Sequence, residues 1–405
     1  MFKCWLLSAI LLSLLRSLPA AGTQALSSAA FSAPRLKAPW HSAGNGGLWQ
    51  RREGAGRPRT CGQELVCTVK KSRIRRQRQR IDEALSLLTR GEGQKVPMEG
   101  AHFEIIDQPS IDWGKMPREL DPHFVTFRGV SLPAGIPETS SVEAMRATLN
   151  PRSLRKRAQI ESFFAALQLL APPPGTRVVD FGAGSGNLVL PLAHLLPHLH
   201  FVAIDLKKHA ITILEQRVEE SGLVNVRADE CYIEAFEEPF GVALGLHVCG
   251  PASNAVIQKA SANAAAFLVS PCCIGKLTPQ TSLGNFMEGE YPLSGWLRNT
   301  LQDEMAALIA STADRSEVPR AGDTEEISED VRAHFRRGGL CKTAVEMDRL
   351  MWASDKGYEG YLLRMKGLEG YSKKDLLVGL PSVADSAAMF NRDAFVEGLR
   401  GGVMR

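Results

Sequence analysis

From Arg177 onward, short apolar runs alternate with longer amphipathic stretches. The runs predict strands near Arg177–Phe181, Phe201–Ile204, Val224–Arg227, Val242–Leu246 and Phe267–Ser270. Helical spacing of apolar residues predicts helices near Leu188–Leu196, His209–Ser221 and Ser253–Ala264. Strands apolar on both faces, separated by helices, belong to a parallel sheet with crossover helices, so the expected class is α/β, a doubly wound and mostly parallel sheet. A further helix is predicted from Ser294 to about Ala310, then an acidic, apolar-poor insertion over 311–329, and a last helix and strands from Thr343. Upstream, Arg152, Arg155, Lys156 and Arg157 open a helix that continues through Phe163, Phe164, Leu167 and Leu170 until Pro172-Pro173-Pro174-Gly175 ends it. Seven Lys/Arg between 70 and 80 precede Ile81, Leu85 and Leu88, a basic helix entering a packed one. Between Gly91 and Asn150, Pro and Gly break the pattern, and no function is assigned.

The first residues read as an address. Met1-Phe2-Lys3 is followed by a 12-residue apolar run, Cys4 to Leu15, interrupted only by Ser8 and Ser13. A membrane span takes about 20 residues, so this is the core of a signal peptide and no stable membrane anchor is expected after processing. Residues 27–60 are rich in Ser, Ala, Gly, Pro and Arg with one acid, Glu53, too little apolar surface to offset chain entropy. The two parts together resemble the presequences of algae with secondarily acquired plastids, with Ser28-Ala29-Ala30-Phe31-Ser32-Ala33-Pro34 as the junction. The resemblance implies a plastid address; the secretory pathway and the cytoplasm stay open. The expected organisation is a targeting segment over 1–30, a disordered transit-like region over 31–69, a small helical or irregular extension over 70–150, the main domain over 151–381 and a tail over 382–405.

Composition adds two exclusions. At 405 residues, 44% hydrophobic and 23% charged, the chain buries a sizeable core and is neither a coiled coil nor wholly disordered. Its net charge of +4 conceals 15 Lys/Arg against 2 Asp/Glu in residues 1–80, leaving 33 basic and 42 acidic residues after them. A contact with nucleic acid therefore has to use local basic patches. Eight scattered Cys do not form the framework of a small disulfide scaffold, which points to a reducing compartment.

The sharpest chemical signal is Val178-Val179-Asp180-Phe181-Gly182-Ala183-Gly184-Ser185-Gly186-Asn187, a buried strand carrying an acid into a glycine-rich turn that opens a helix. Glycines permit a sharp turn and a close approach to a ligand, and the amides at a helix start attract anions. A dinucleotide fingerprint would place its third Gly at 187, where Asn stands. Asp205 ends the second strand, 21 residues after Gly184, where a carboxylate accepts ribose hydroxyls. Asp229, after the third strand, is either an adenine-binding acid or an ordinary loop acid. Strands four and five end in Leu246-His247-Val248-Cys249-Gly250 and Ser270-Pro271-Cys272-Cys273-Ile274-Gly275-Lys276, so a His and three thiols converge on the ligand edge. Adjacent Cys272 and Cys273 lack the C-x2-C spacing of a zinc pair, so no metal is assigned. They are read as a pocket wall, with His247 as general base or orienter.

The glycine-rich stretch resembles motif I of class I S-adenosylmethionine-dependent methyltransferases. Together with Leu246 to Gly250, Pro271 to Lys276, Arg155 to Glu161, Met347-Asp348-Arg349-Leu350, Lys356-Gly357-Tyr358 and Ser372 to Gly379, it resembles the glutathione S-transferase C-terminal domain-containing proteins over about residues 152–380. More distantly it resembles the eukaryotic tRNA 2′-O-methyltransferases, although Ile274-Gly275 and Asn254 depart from their pattern. The resemblance implies a Rossmann-like methyltransferase sheet with S-adenosyl-L-methionine as cofactor. It places Asp180, Gly182, Gly184, Gly186, Asn187, Asp205 and Asp229 against the cofactor and His247, Cys272 and Cys273 against the acceptor. RNA is the leading acceptor and partner; a small-molecule or protein acceptor and a non-catalytic cofactor-binding scaffold are the alternatives, and protein partners are not indicated.

Overall fold

A computed structural model describes residues 61–90, 102–104, 111–122, 151–275, 277, 291–316, 328–368, 371–382, 390 and 392–401. The targeting segment and the transit-like stretch up to residue 60 lie outside them. The chain divides after Thr60, and all that follows concerns the unit Cys61–Arg405.

In chain order the elements are α1 (Cys61–Arg90), β1 (His102–Glu104), α2 (Pro151–Leu170), β2 (Arg177–Phe181), α3 (Val189–Leu195), β3 (His200–Asp205), α4 (Lys208–Ser221), β4 (Val226–Glu230), β5 (Val242–Leu246), α5 (Pro251–Ala262), β6 (Ala266–Ser270), α6 (Gly295–Thr300), α7 (Asp303–Ala313), α8 (Glu329–Asp355), β7 (Tyr358–Arg364), β8 (Asp375–Pro381) and α9 (Arg392–Gly401). One sheet has the order β1-β7-β8-β6-β5-β2-β3-β4. Every pairing is parallel except those of β8 with β6 and β7. The expected Rossmann-like, mostly parallel sheet is thus present. Strand order reverses between β2 and β5, and the crevice outside their carboxyl ends is where such sheets bind ligands. Because β8 runs antiparallel, its leading residues, Ser372 to Asp375, arrive at that same edge.

Apolar clusters cover both faces. One joins Phe163, Leu167, Leu190 and Phe201 with Phe395 and Leu399 of α9; the other joins Phe181, Phe236, Phe240, Ile257 and Phe267. Strands that are buried throughout, such as Val242–Leu246 and Ala266–Ser270, explain the uninterrupted apolar runs. A third cluster packs Ile81, Leu85 and Leu88 of α1 on Leu297, Ile309 and Val345.

Several expected boundaries are corrected. The third strand is Val226–Glu230, not Val224–Arg227: Gly222 ends α4 in the left-handed region. Val224 is 98% exposed, and Asn225 ties the turn down through Ala193 O and Leu199 O. Asp229 is therefore a strand residue. The stretch from Ser294 to Ala310 is two helices, because the Ser294 hydroxyl caps α6 and extended backbone at Leu301 and Gln302 restarts the chain at α7, whose first turn carries Asp303 and Glu304. Of the expected insertion over 311–329, residues 311–313 belong to α7 and Glu329 begins α8; 317–327 lie outside the described residues. Residues 61–69, read as transit-like, begin α1, and the expected tail contains α9. Among the described residues no helix is long and apolar enough to cross a membrane.

Candidate functional site

The turn after β2 is built from three left-handed glycines, with φ of +72° at Gly182, +57° at Gly184 and +82° at Gly186. Gly182 N and Ala183 N both donate to Ile204 O at 2.9 Å, pinning the turn to β3. Asp205 completes the link: its Oδ2 accepts from Gly184 N at 2.9 Å and its Oδ1 from Lys207 N at 2.8 Å. The carboxylate thereby ties the glycine-rich turn to the end of β3. Gly186 has a second constraint, since a Cβ there would meet Leu214 Cδ1 at 2.6 Å and Leu190 Cγ at 3.0 Å. Gly186→Ala combines left-handed strain with a clash and is expected to lower stability by about 2–4 kcal/mol. Gly184→Ala, with nothing within 4 Å of the added atom, meets strain alone and is expected to cost about 1 kcal/mol. Denaturant midpoints that ranked the two the other way round would refute this reading of the turn.

Asp180 lies beneath the turn, 1% exposed, and its Oδ2 has no hydrogen-bond partner. Burial, and secondarily the Asp205 carboxylate, push its carboxyl up to about 7, with Lys156 opposing. A buried carboxylate oxygen without a partner suits a cationic or hydrogen-bonding group. Asn187 accepts from Arg217 Nη1 at 3.2 Å and stands 3.5 Å from Ser185 Oγ, which makes it a brace of the turn. Asp229 is held at 2.9 Å by Arg227, which also grips Glu238 at 2.6 Å.

At the other side of the crevice, His247 ends β5 with φ +64°, strained for a residue with a side chain. Its imidazole is held down to about 4, by burial first and then by Lys156, Lys373 and Arg152, so it is neutral at physiological pH and a weaker base than an ordinary histidine. Of the two expected roles for His247, this lowers its strength as a general base and leaves its role as an orienter. Cys272 stands 2.7 Å from Cys249 and 3.6 Å from Cys273. The hydrogen bond with Cys249, followed by burial, pushes its thiol far above the ordinary range, so Cys272 does not act as a base. Cys272 and Cys273 border a cavity of about 240 Å³ together with Asp314, Ser316, Lys342 and Lys373.

Opposite pKa displacements make a test. Asp180 binds a proton in the folded chain between its ordinary 3.8 and about 7, so its contribution is full at low pH and lost as pH rises through 7. His247 is the reverse: with 6.5 unfolded and about 4 folded, its contribution is present above 6.5 and lost as pH falls toward 4. Between 4 and 6.5 the two oppose one another. The stability difference between wild type and Asp180→Asn is expected to change by about 1.4 kcal/mol per pH unit across this window, wild type losing ground as pH rises. Unfolding measured from pH 4 to 7.5 checks it, and a constant difference would contradict it.

Two buried arginines brace the site; Arg349 stands in a stretch that the sequence singles out, Met347-Asp348-Arg349-Leu350, whereas Arg217 stands in none. Arg217 of α4, fully buried, donates through Nε and Nη2 to Glu119 O at 3.0 and 2.9 Å and through Nη1 to Ser185 O and Asn187. It fastens the glycine-rich turn to the segment 111–122, which further engages α2 through Trp113 Nε1 to Glu161 (2.7 Å) and the Arg157–Asp121 ion pair. The signal was an arginine three residues after Leu214 on the apolar face of α4. Arg349 donates to Asn254 at 2.8 Å and Gly250 O at 3.2 Å, which accounts for an amide at 254. The basic cluster on α2 is partly engaged: Arg157 binds Asp121, Arg155 lies 4.9 Å over the Tyr371 ring, half-buried Lys156 feels the charge of Asp180, and Arg152 is exposed.

Residues 155–280 match the model of a methyltransferase domain family. The matched stretch runs from α2 through β6 and contains the glycine-rich turn. The chain is similar to the glutathione S-transferase C-terminal domain-containing protein homolog of Drosophila melanogaster, 33% identical over 225 residues, covering 56% of this chain and 36% of that protein. The mouse protein of that name is 30% identical over 251 residues, covering 62% and 36%. The chain thus spans about a third of the length of these curated relatives. A 67-residue stretch, 16% of the chain, is 37% identical to ribosomal RNA small subunit methyltransferase G of Porphyromonas gingivalis, over 30% of that protein. Among solved structures, magnesium protoporphyrin IX methyltransferase of Synechocystis PCC 6803 with bound SAM is 14% identical at a TM-score of 0.33, covering 57% of this chain and 81% of that one, too slight a likeness to bear on chemistry.

Proposed function

We propose that the chain is an S-adenosylmethionine-dependent methyltransferase whose acceptor is RNA. The observation that carries the cofactor reading is Asp205 at the end of β3, whose carboxylate bonds the Gly184 amide at the switch point; an acid at that position is the ribose-binding group of doubly wound sheets. The bound cofactor supplies a methyl group already activated on a sulfonium, so the protein's task is to align and shield the reacting atoms. Gly182, Gly184 and Gly186 admit its methionine end close to the backbone, and the orphaned Oδ2 of Asp180 suits a cationic group there. Asp229, its carboxylate already gripped by Arg227, serves the adenine side only through what that pair leaves accessible.

On the acceptor side, Lys156, Lys373 and Arg152 crowd the neutral His247, which favours an anionic acceptor. The exposed basic face of α1, with Arg73, Arg75 and Arg76, adds a second contact for phosphates. The stretch similar to a ribosomal RNA methyltransferase supports the same reading. His247, able to accept a hydrogen bond without being charged, orients a hydroxyl rather than removing its proton at low pH.

The test is transfer of a labelled methyl group to separate RNA, protein and small-molecule pools, with retention on RNA measured against salt. Label in RNA and a steep loss of retention with salt are expected. Label in protein or metabolites alone would replace RNA as the acceptor, and cofactor binding with no labelled product would make the chain a scaffold.

A further inference from the structure

The carboxyl ends of β5 and β6 bring three thiols to one point. Cys249 follows β5 and Cys272 and Cys273 follow β6, and the three Sγ atoms lie within 4.8 Å of one another. This corrects the expectation of no metal: that expectation rested on the spacing of Cys272 and Cys273 along the chain, whereas the distance among all three sulfurs is what a single ion requires.

The frame beneath them is rigid. His247 N donates to Ser270 O at 3.0 Å and Gly250 N to Cys273 O at 2.9 Å, so the two strand ends are stitched together. The fully buried Arg349 holds Gly250 O from below, and Ser253 Oγ donates to Val248 O at 2.5 Å. Gly250 itself, at φ 56° and ψ −125°, has a backbone that only glycine adopts freely.

Cys249 and Cys272 both approach one acceptor, His247 O, at 3.4 Å each. Sulfur is a weak donor and a weak acceptor, so mutual thiol contacts are poor compensation for bringing three such groups into one partly buried corner. A cation between them compensates far better. Zinc binds thiolate at about 2.3 Å, which spaces two sulfurs on one ion about 3.8 Å apart. The 3.6 Å of Cys272 to Cys273 matches that, and the 2.7 Å of Cys249 to Cys272 reaches it by a small side-chain rotation.

The geometry points to Cys249, Cys272 and Cys273 as a three-thiolate site for one zinc-like divalent cation, with a fourth coordination position open to the cavity lined by Cys272 and Cys273. Three protein ligands and an open position characterise a site that presents its metal to a ligand; four closed ligands characterise a structural one. Each thiol gives its proton to solvent on ligation. Three thiolates and a divalent ion carry a net negative charge, which Lys156, Lys373 and Arg152 around His247 complement. The assignment is independent of methyl transfer, because metal binding alone reads it out.

The experiment uses the full chain, stripped of metal and kept reduced, with Zn²⁺ titrated against a chromophoric chelator and Co²⁺ as a spectroscopic probe. One equivalent is expected, with the visible bands of tetrahedral cobalt and sulfur-to-cobalt charge transfer. Bound Zn²⁺ is expected to protect Cys249, Cys272 and Cys273 from alkylation and to leave Cys231 reactive. Cys249→Ser is expected to weaken binding by roughly a hundredfold or more, and Cys231→Ser to leave it unchanged. No equivalent bound, a cobalt complex without sulfur bands, or protection confined to other cysteines would each overturn the assignment. The protection pattern is read on wild type, so the result stands even where a variant does not fold.

Discussion

Arg217→Met is expected to destabilise the domain by about 3 kcal/mol, since it leaves three partly buried carbonyl and amide oxygens without a donor at about 1 kcal/mol each, the lower end for such a loss. The methionine keeps the apolar stem of the side chain, so the loss isolates the guanidinium. That group is fully buried and joins three pieces of chain: the Glu119 carbonyl, the Ser185 carbonyl inside the glycine-rich turn, and the Asn187 side chain. The loss therefore reaches beyond stability. With the turn no longer braced against residues 111–122, affinity for S-adenosylhomocysteine is expected to fall as well. Arg217→Lys keeps the charge and loses the fork, and it should recover only part of both effects. The midpoint of denaturant unfolding reads the first effect and calorimetry the second; an unchanged midpoint in Arg217→Met would mean that these bonds are made equally well by water.

Asp205→Ala is expected to weaken S-adenosylhomocysteine binding by about a hundredfold or more. Hydrogen bonds to a charged group contribute about 1.5–3 kcal/mol each, and two ribose hydroxyls would lose one such partner. The same carboxylate orders the turn through Gly184 N and Lys207 N, so part of the loss comes from a loosened glycine segment. Asp205→Asn separates the parts: its carbonyl oxygen still accepts one amide, while the charge is gone. Binding by Asn should fall between wild type and Ala. Equal affinity in all three would move the cofactor pocket away from the switch point.

Much of this was open to a reader of the chain, and the reasons are local. Runs such as Val242–Leu246 are apolar without alternation because both faces of the strand are covered, and only a central parallel strand has that need. Asp180, the three glycines and Asp205 were legible because each is demanded by its own position on a strand end or turn. Asp229 was misplaced by a strand boundary, since Val224 looks like a strand residue and is 98% exposed in the turn that Asn225 anchors. Within the α2 basic cluster, a charge pattern does not show which charges are already partnered; Asp121 and Tyr371, which hold Arg157 and Arg155, come from distant segments.

By itself, then, the amino-acid order determined the class of sheet and the identity of the glycine turn with its two acids, because hydrophobic period and backbone freedom are properties of neighbouring residues. Tertiary structure alone decided which far-apart groups meet. It carried Arg217 to Ser185 and brought Lys373 to His247 by running β8 backwards. Those meetings depend on strand order and packing across the sheet, and no periodicity along the chain encodes them.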